Sequence, residues 1–142
     1  MFELPLRYAE EIVAHAREEA PNECCGILAG KDGRVFRLYR AVNAEHSPYR
    51  FDIDARERHR IHADVQAAGW QFLAIYHSHP AGQARPSTAD IALARVTAAG
   101  ENADLWPGVV HLIVSLADDL PVLRAFRLDG GAAVEEELHF VD

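Results

Sequence analysis

A chain of 142 residues is the size of one domain, large enough to bury roughly 68–70% of the surface its unfolded form exposes, and 49% hydrophobic with 25% charged residues is an ordinary globular balance. A formal net charge of −8 argues against a partner held mainly through phosphates, so no nucleic acid is expected. No apolar run approaches the roughly 20 residues of a membrane span, and Met1-Phe2-Glu3-Leu4-Pro5 lacks the basic start and apolar core of a signal peptide, so a soluble cytoplasmic protein without a membrane partner is expected.

In chain order, Leu6–Ala20 reads as an amphipathic helix. Leu6, Ala9, Ile12, Val13, Ala16 and Ala20 recur at three- and four-residue spacings, Pro5 suits its first turn, and Pro21 ends the pattern. Cys24–Gly30 and Arg34–Tyr39 are strand-like runs about an Asp32-Gly33 turn, a hairpin signal. A loop over Asn43–Pro48 leads into a short strand, Tyr49–Ile53. Ala55–Ala68 is a second helix with Ile61, Val65 and Ala68 on one side, and Gly69 is placed to cap it. Gln71–His79 is nearly continuous in apolar residues, as in a strand covered on both faces. A third helix over Thr88–Ala99 follows, then a loop over Glu101–Gly108. Val109–Leu116, Val122–Leu128 and Ala133–Leu138 are strands separated by turns at Asp118–Pro121 and Asp129–Gly131. The pattern is one α/β domain over residues 1–142, with a mixed β-sheet and about three helices.

The chemistry concentrates in His77–Asp90. Strand side chains alternate, so His77 and His79 share a face about 6.6 Å apart along the axis, and Ser78 points to the other. Two imidazoles so placed can lean toward one ion. Asp90, in the first turn of the third helix, can add an oxygen ligand and leave a fourth position for water, as catalytic zinc sites do. Blander readings compete: a His-x-His pair can be packing, and Ser87-Thr88-Ala89-Asp90 is a capping box. A third element lies upstream, in Pro21-Asn22-Glu23-Cys24-Cys25-Gly26-Ile27-Leu28-Ala29-Gly30. Glu23 sits at the mouth of a buried strand, where a carboxylate is costly without a partner, although a solvated turn carboxylate is the simpler reading of that residue alone. A zinc hydrolase needs such a second, non-ligating carboxylate to take a proton from water and deliver it to the leaving amine. The adjacent Cys24 and Cys25 suit neither an unstrained disulfide nor a Cys-x-x-Cys zinc site and read as small core residues.

Taken together, Pro-x-Glu-x-Cys-Gly-x-Leu-x-Gly over residues 21–30, and His77-x-His79-Pro80 followed by Ser87 and Asp90, resemble the JAMM (MPN-plus) metalloprotease family. The resemblance implies a cytidine-deaminase-like α/β fold with zinc held by His77, His79 and Asp90. It also implies Glu23 as general acid/base and Ser87 as donor to the oxyanion of the tetrahedral intermediate. It implies cleavage of a peptide or isopeptide bond after the C-terminal glycine of a ubiquitin-like protein. The near-minimal length looks more like bacterial members that act on ubiquitin-like sulfur-carrier proteins, some of which release cysteine. A broader deconjugating metallopeptidase and a non-catalytic MPN-type interaction module are the alternatives. Zinc deaminases are disfavoured, because His-x-Glu and Pro-Cys-x-x-Cys are missing.

The remaining polar and aromatic residues have simpler expectations. Trp70 and Trp106 are core or loop anchors, His59 and His62 are solvated, and His111 is a satisfied core histidine. Glu135-Glu136-Glu137 is a solvated strand end, while Asn43, Arg50 and Tyr76 are candidates for the border of a substrate groove.

Overall fold

The structure, a computed structural model, describes residues 1–92, 108–128 and 132–142. The chain runs β1 (Phe2–Pro5), α1 (Leu6–Glu19), β2 (Cys25–Lys31), β3 (Arg34–Ala41), α2 (Ala55–Ala67) and β4 (Gln71–His79). Helix α3 begins at Thr88 and is described over 88–92. The chain closes with β5 (Val110–Ser115), β6 (Val122–Arg127), β7 (Val134–Glu136) and β8 (Leu138–Val141). Six strands form one mixed sheet in the order β3-β2-β4-β5-β6-β7, in which β4 and β5 are parallel and the other neighbours antiparallel. The fold is α/β, as the alternation of helical and strand periods predicts.

Both faces of the sheet are covered, which explains the continuous apolar runs of β2 and β4. On one face, Ala9, Ile12 and Ala16 of α1 pack with Leu28, Ala74, Tyr76, Leu112 and Val114, joined by Phe2 and Leu4 of β1. On the other, Ile61 and Val65 of α2 cover Cys25, Ile27, Ala29 and Ile75, with Phe51 and Ile53 closing the edge. Ile113, Phe126 and Ala84 extend this second core toward Ile91 of α3. The β2–β3 turn is the one its residues call for: Lys31 pairs with Arg34, and both Asp32 (φ 52°) and Gly33 (φ 75°) adopt positive φ. Gly69, also at positive φ, ends α2 by donating its amide to the Gln66 carbonyl.

Several expectations are corrected. The chain ends form a parallel two-stranded sheet, β1 with β8, that no periodicity announced, because each strand is only four residues long. Pro5 is the last residue of β1 and the N-cap of α1, not a first-turn residue. Tyr49–Ile53 is not a strand; it makes one bridge, Asn43 to Ile53, and is otherwise a loop. The expected Ala133–Leu138 strand is broken at Glu137, between β7 and β8. Glu136 is not solvated there, since Arg127 (3.2 Å) and the terminal amine of Met1 (3.1 Å) both pair with it. Trp106, the Asp129–Gly131 turn and the later part of the Thr88–Ala99 helix lie outside the described residues. Among the described residues no helix is long and apolar enough to cross a membrane.

Candidate metal centre

Strand register brings the two halves of the sequence pattern together. In the antiparallel β2–β4 pair, Cys25 lies opposite His77. One step outward, the Ser78 amide donates to the Cys24 carbonyl (3.1 Å) and the Cys24 amide to Ser78 Oγ (2.7 Å). The next step sets Glu23 across from His79, and the alternation of side chains puts Glu23, Cys25, His77 and His79 on one face. The glycine of the Glu-x-x-Gly pattern is a steric requirement of this pairing. Gly26 is the cross-strand partner of Tyr76, and a Cβ there would lie 2.2–2.4 Å from the Tyr76 ring and hydroxyl.

Beyond β4 the chain turns back so that α3 faces the histidines. His79 Nδ1 donates to the Gln83 carbonyl (2.7 Å), and Ser115 Oγ donates to the Gly82 carbonyl (2.5 Å), so the turn is fixed from within and from β5. Ser87 caps α3: its Oγ accepts the Asp90 amide (3.0 Å), while Asp90 Oδ2 accepts the Ser87 amide (2.8 Å). This capping box is also what aims Asp90. Its Oδ2 lies 3.1 Å from both His77 Nε2 and His79 Nε2, and the two Nε2 atoms are 3.1 Å apart.

An equilateral triangle of two nitrogens and an oxygen fits a metal ion. Ligand atoms about 2.0–2.1 Å from a tetrahedral zinc stand about 3.4 Å apart, close to these edges. Hydrogen bonding alone does not satisfy the triangle. With Nδ1–H of His79 committed to Gln83, the neutral ring offers its Nε2 lone pair to an ion, and only the protonated ring can donate from Nε2 to Asp90. His77 Nδ1 is buried without a partner, and the Phe51 ring stacks on the imidazole at 4.4 Å and 20°. Burial pushes the His77 pKa down, outweighing the Asp90 carboxylate. For His79 burial acts the same way, but its hydrogen bonds to Asp90 and Gln83 prevail and raise it. Burial would raise Asp90, but its hydrogen bonds from both histidines and from the Ser87 amide hold it well below the usual carboxylate range.

The fourth group is Glu23, 3% exposed and therefore not the solvated turn carboxylate of the simpler reading. Its Oε1 has no hydrogen-bond partner among the described residues, and one ligand-competent atom from each of Glu23, His77, His79 and Asp90 lies within 4.8 Å of the others. Burial pushes the carboxyl up to about 8, with Asp90 adding to the rise and His79 opposing it. A carboxyl poised near neutrality beside a metal-competent triangle can both accept and return a proton.

The other singled-out residues sort themselves by burial. Cys24 and Cys25 are core thiols; burial pushes Cys24 up to about 11 and Cys25 further. Tyr76 does not border a groove: it is fully buried, with its hydroxyl 2.7 Å from His15 Nδ1. Arg50 is exposed and lines a cavity of about 300 Å³ with Phe51, Ala89 and Asp90. Asn43 is buried in the loop below it. His59 is exposed, whereas His62 is half-buried with its ring edge-on to Phe72, and Trp70 packs against Phe36. His111 is the second residue of β5, half-buried and pushed down to about 4 by its surroundings, burial first. Sequence reasoning missed Phe51 and the extent of Asn43's bonding, because an irregular loop has no period to expose either.

Residues 5–129 match the family of prokaryotic homologs of the JAB domain. The CysO-cysteine peptidase of Mycobacterium tuberculosis is 35% identical over 134 residues, spanning 92% of this chain and 85% of that protein. The desampylase of Haloferax volcanii is 34% identical over 113 residues, 75% of this chain and 74% of that one. A solution structure of a Desulfitobacterium hafniense protein superposes with a TM-score of 0.84 at 37% identity, covering 100% of this chain and 94% of the other. With the two-part motif assembled in one buried cluster and the family match spanning most of its length, the chain belongs to the prokaryotic JAB family and is a JAMM-type hydrolase.

Proposed function

We propose that residues 1–142 form a zinc-dependent peptidase that cleaves the bond after the C-terminal glycine of a ubiquitin-like sulfur-carrier protein and releases cysteine from it. The observation that carries the hydrolase reading is the His77–His79–Asp90 triangle with a buried carboxylate, Glu23, beside it, to which we assign proton transfer and not ligation. The choice of carrier follows the relatives, above all the CysO-cysteine peptidase. Zinc held by the triangle supplies Lewis acidity, which polarises the scissile carbonyl and acidifies a water molecule. Glu23, whose carboxyl is buried, takes the proton of the attacking water onto its carboxylate and returns it to the leaving nitrogen. Ser87 Oγ accepts the Asp90 amide, and its own hydrogen, given no acceptor among the described residues, can donate to the carbonyl oxygen as that oxygen gains charge. Capping and oxyanion stabilisation thus use different parts of one hydroxyl.

The test is turnover of three substrates by the purified protein: a carrier–cysteine conjugate, a carrier–lysine isopeptide and unrelated dipeptides. Release of cysteine from the first is expected to dominate. Equal turnover of dipeptides defeats the carrier assignment. Full activity after zinc removal, or in His77→Ala, defeats the metal mechanism; that variant is expected to lose both zinc and hydrolysis. The Haloferax desampylase favours a second reading, a broader deconjugating peptidase, which faster turnover of the isopeptide would select. A non-catalytic interaction module would have no use for Glu23 beside the ion.

A further inference from the structure

We infer that Asn43 is a positioning residue for this hydrolysis, locking the loop over residues 43–53 onto the backbone of Glu23 and onto the face of His77. The inference rests on the functional reading above. Asn43 follows the end of β3 and is buried. Its Nδ2 donates to the carbonyls of Glu23 (3.1 Å) and Arg50 (3.0 Å), with a longer approach to that of Ser47 (3.5 Å). Its Oδ1 accepts the amides of Glu45 (3.0 Å) and Asp52 (3.2 Å). One carboxamide therefore uses both donors and both lone pairs.

Glu23 depends on this arrangement because it lies outside the strands. The β2–β3 ladder ends at Cys25 opposite Ala41, so no strand on that side holds the Glu23 peptide. The loop does so instead: the Glu23 amide donates to the Ser47 carbonyl (2.9 Å), and the Glu23 carbonyl accepts from Asn43. The same carboxamide grips Arg50 and Asp52, the neighbours of Phe51 on either side, and Phe51 stacks on the His77 ring. One side chain thus braces the backbone of the proton carrier and the ring that stacks on a metal-competent imidazole whose own place is set by β4. Aspartate lacks the donors this requires, and serine is too short to span the loop.

Steady-state kinetics of the zinc-loaded chain on the carrier–cysteine conjugate test the assignment. Asn43→Asp keeps the acceptor for Glu45 and Asp52 and loses both donors; Asn43→Ser is a neutral counterpart that cannot reach the Glu23 carbonyl. Each is expected to lower kcat about 100-fold, the scale of a misplacement of about 1 Å, with KM within about twofold and zinc content unchanged. Tyr49→Ala removes an exposed side chain from the same loop and is expected to keep the wild-type kcat. Folded, zinc-loaded Asn43 variants with wild-type kcat overturn the inference. So does an effect confined to KM, or the failure of both variants to fold, which makes Asn43 a purely structural residue. Inactivity of the wild type on both carrier substrates would instead remove the functional reading on which the inference rests.

Discussion

Replacing Glu23 by glutamine separates proton transfer from metal binding. The substitution is isosteric and Glu23 is buried, so the amide can occupy the place of the carboxyl. The metal-competent triangle is built from other residues, with its 3.1 Å edges set by β4 and the α3 capping box, neither of which uses the Glu23 side chain. Zinc content and KM should therefore stay at wild-type values. What disappears is a group that can hold a proton near neutral pH, which in general acid–base catalysis is worth about 10²–10⁴ in rate, or about 3–5 kcal/mol of barrier. Initial rates of cysteine release, read as thiol, give kcat, and elemental analysis of the same sample gives zinc. A loss within that range at constant zinc is the expected result. Activity within tenfold of wild type would mean that another group carries the proton. Loss of zinc together with activity would mean that Glu23 is a ligand, and the mechanism would have to be rebuilt.

Gly26→Ala should destabilise the fold by about 1–3 kcal/mol or more in denaturant melts, since the new methyl collides with the Tyr76 ring; combining it with Tyr76→Leu should cost less than the sum of the two changes. Ser87→Ala should cost about 0.5–2 kcal/mol of stability through the lost cap. If the hydroxyl also serves the oxyanion, kcat falls by about 10²–10³ as well, and a stability loss without that fall in kcat rejects the second role. His15 is buried against Tyr76, and burial, with help from Arg40, holds its pKa below the ordinary 6.5. The unfolded chain then binds the proton first, so the wild type keeps this stability above pH 6.5 and loses it as pH falls below that value. His15→Phe should lack that component of the acid loss while paying about 1–3 kcal/mol at neutral pH for an orphaned Tyr76 hydroxyl, which urea melts at about pH 7.5 and 5.5 would resolve.

What could be read from the sequence followed regular periods and local chemistry. The buried strands β2 and β4, helices α1 and α2 and the Asp32-Gly33 turn each declare themselves within about ten residues. His77, His79 and Asp90 were legible as a cluster because one strand's alternation and one helix's first turn bring them together. Glu23 was legible as a role before it was legible as a place. Its position beside His79 depends on the register of β2 against β4, and that register is set by which apolar residues each face buries more than fifty positions apart. The pairing of β1 with β8 is more distant still: four-residue strands at opposite ends of the chain carry too little pattern to be seen until the core brings them together. The loop over residues 43–53 was misread as containing a strand because Tyr49, Phe51 and Ile53 alternate correctly. In the fold Tyr49 is exposed while Phe51 and Ile53 serve one core and Phe51 an imidazole, and backbone groups of Arg50 and Asp52 bond to the Asn43 side chain instead of a neighbouring strand.

Helix capping and metal ligation are rival readings of Ser87 and Asp90 in the sequence, yet in the fold the cap places Asp90 where ligation would need it. A carboxylate on a helix's first turn ordinarily has several rotamers open to it. The Ser87 amide, donating to Oδ2 at 2.8 Å, selects one of them, and in that rotamer the same oxygen lies 3.1 Å from both Nε2 atoms. The capping box thus removes, during folding, the side-chain freedom that a metal ion would otherwise have to freeze on binding. It also ties the ligand to the hydroxyl of Ser87, so a shift in one moves the other. A pattern of serine, two residues and an acid, one seven-residue turn beyond a His-x-His strand end, therefore encodes both a helix start and an oxygen preorganised for ligation. The same four residues without the strand before them would encode the helix start alone.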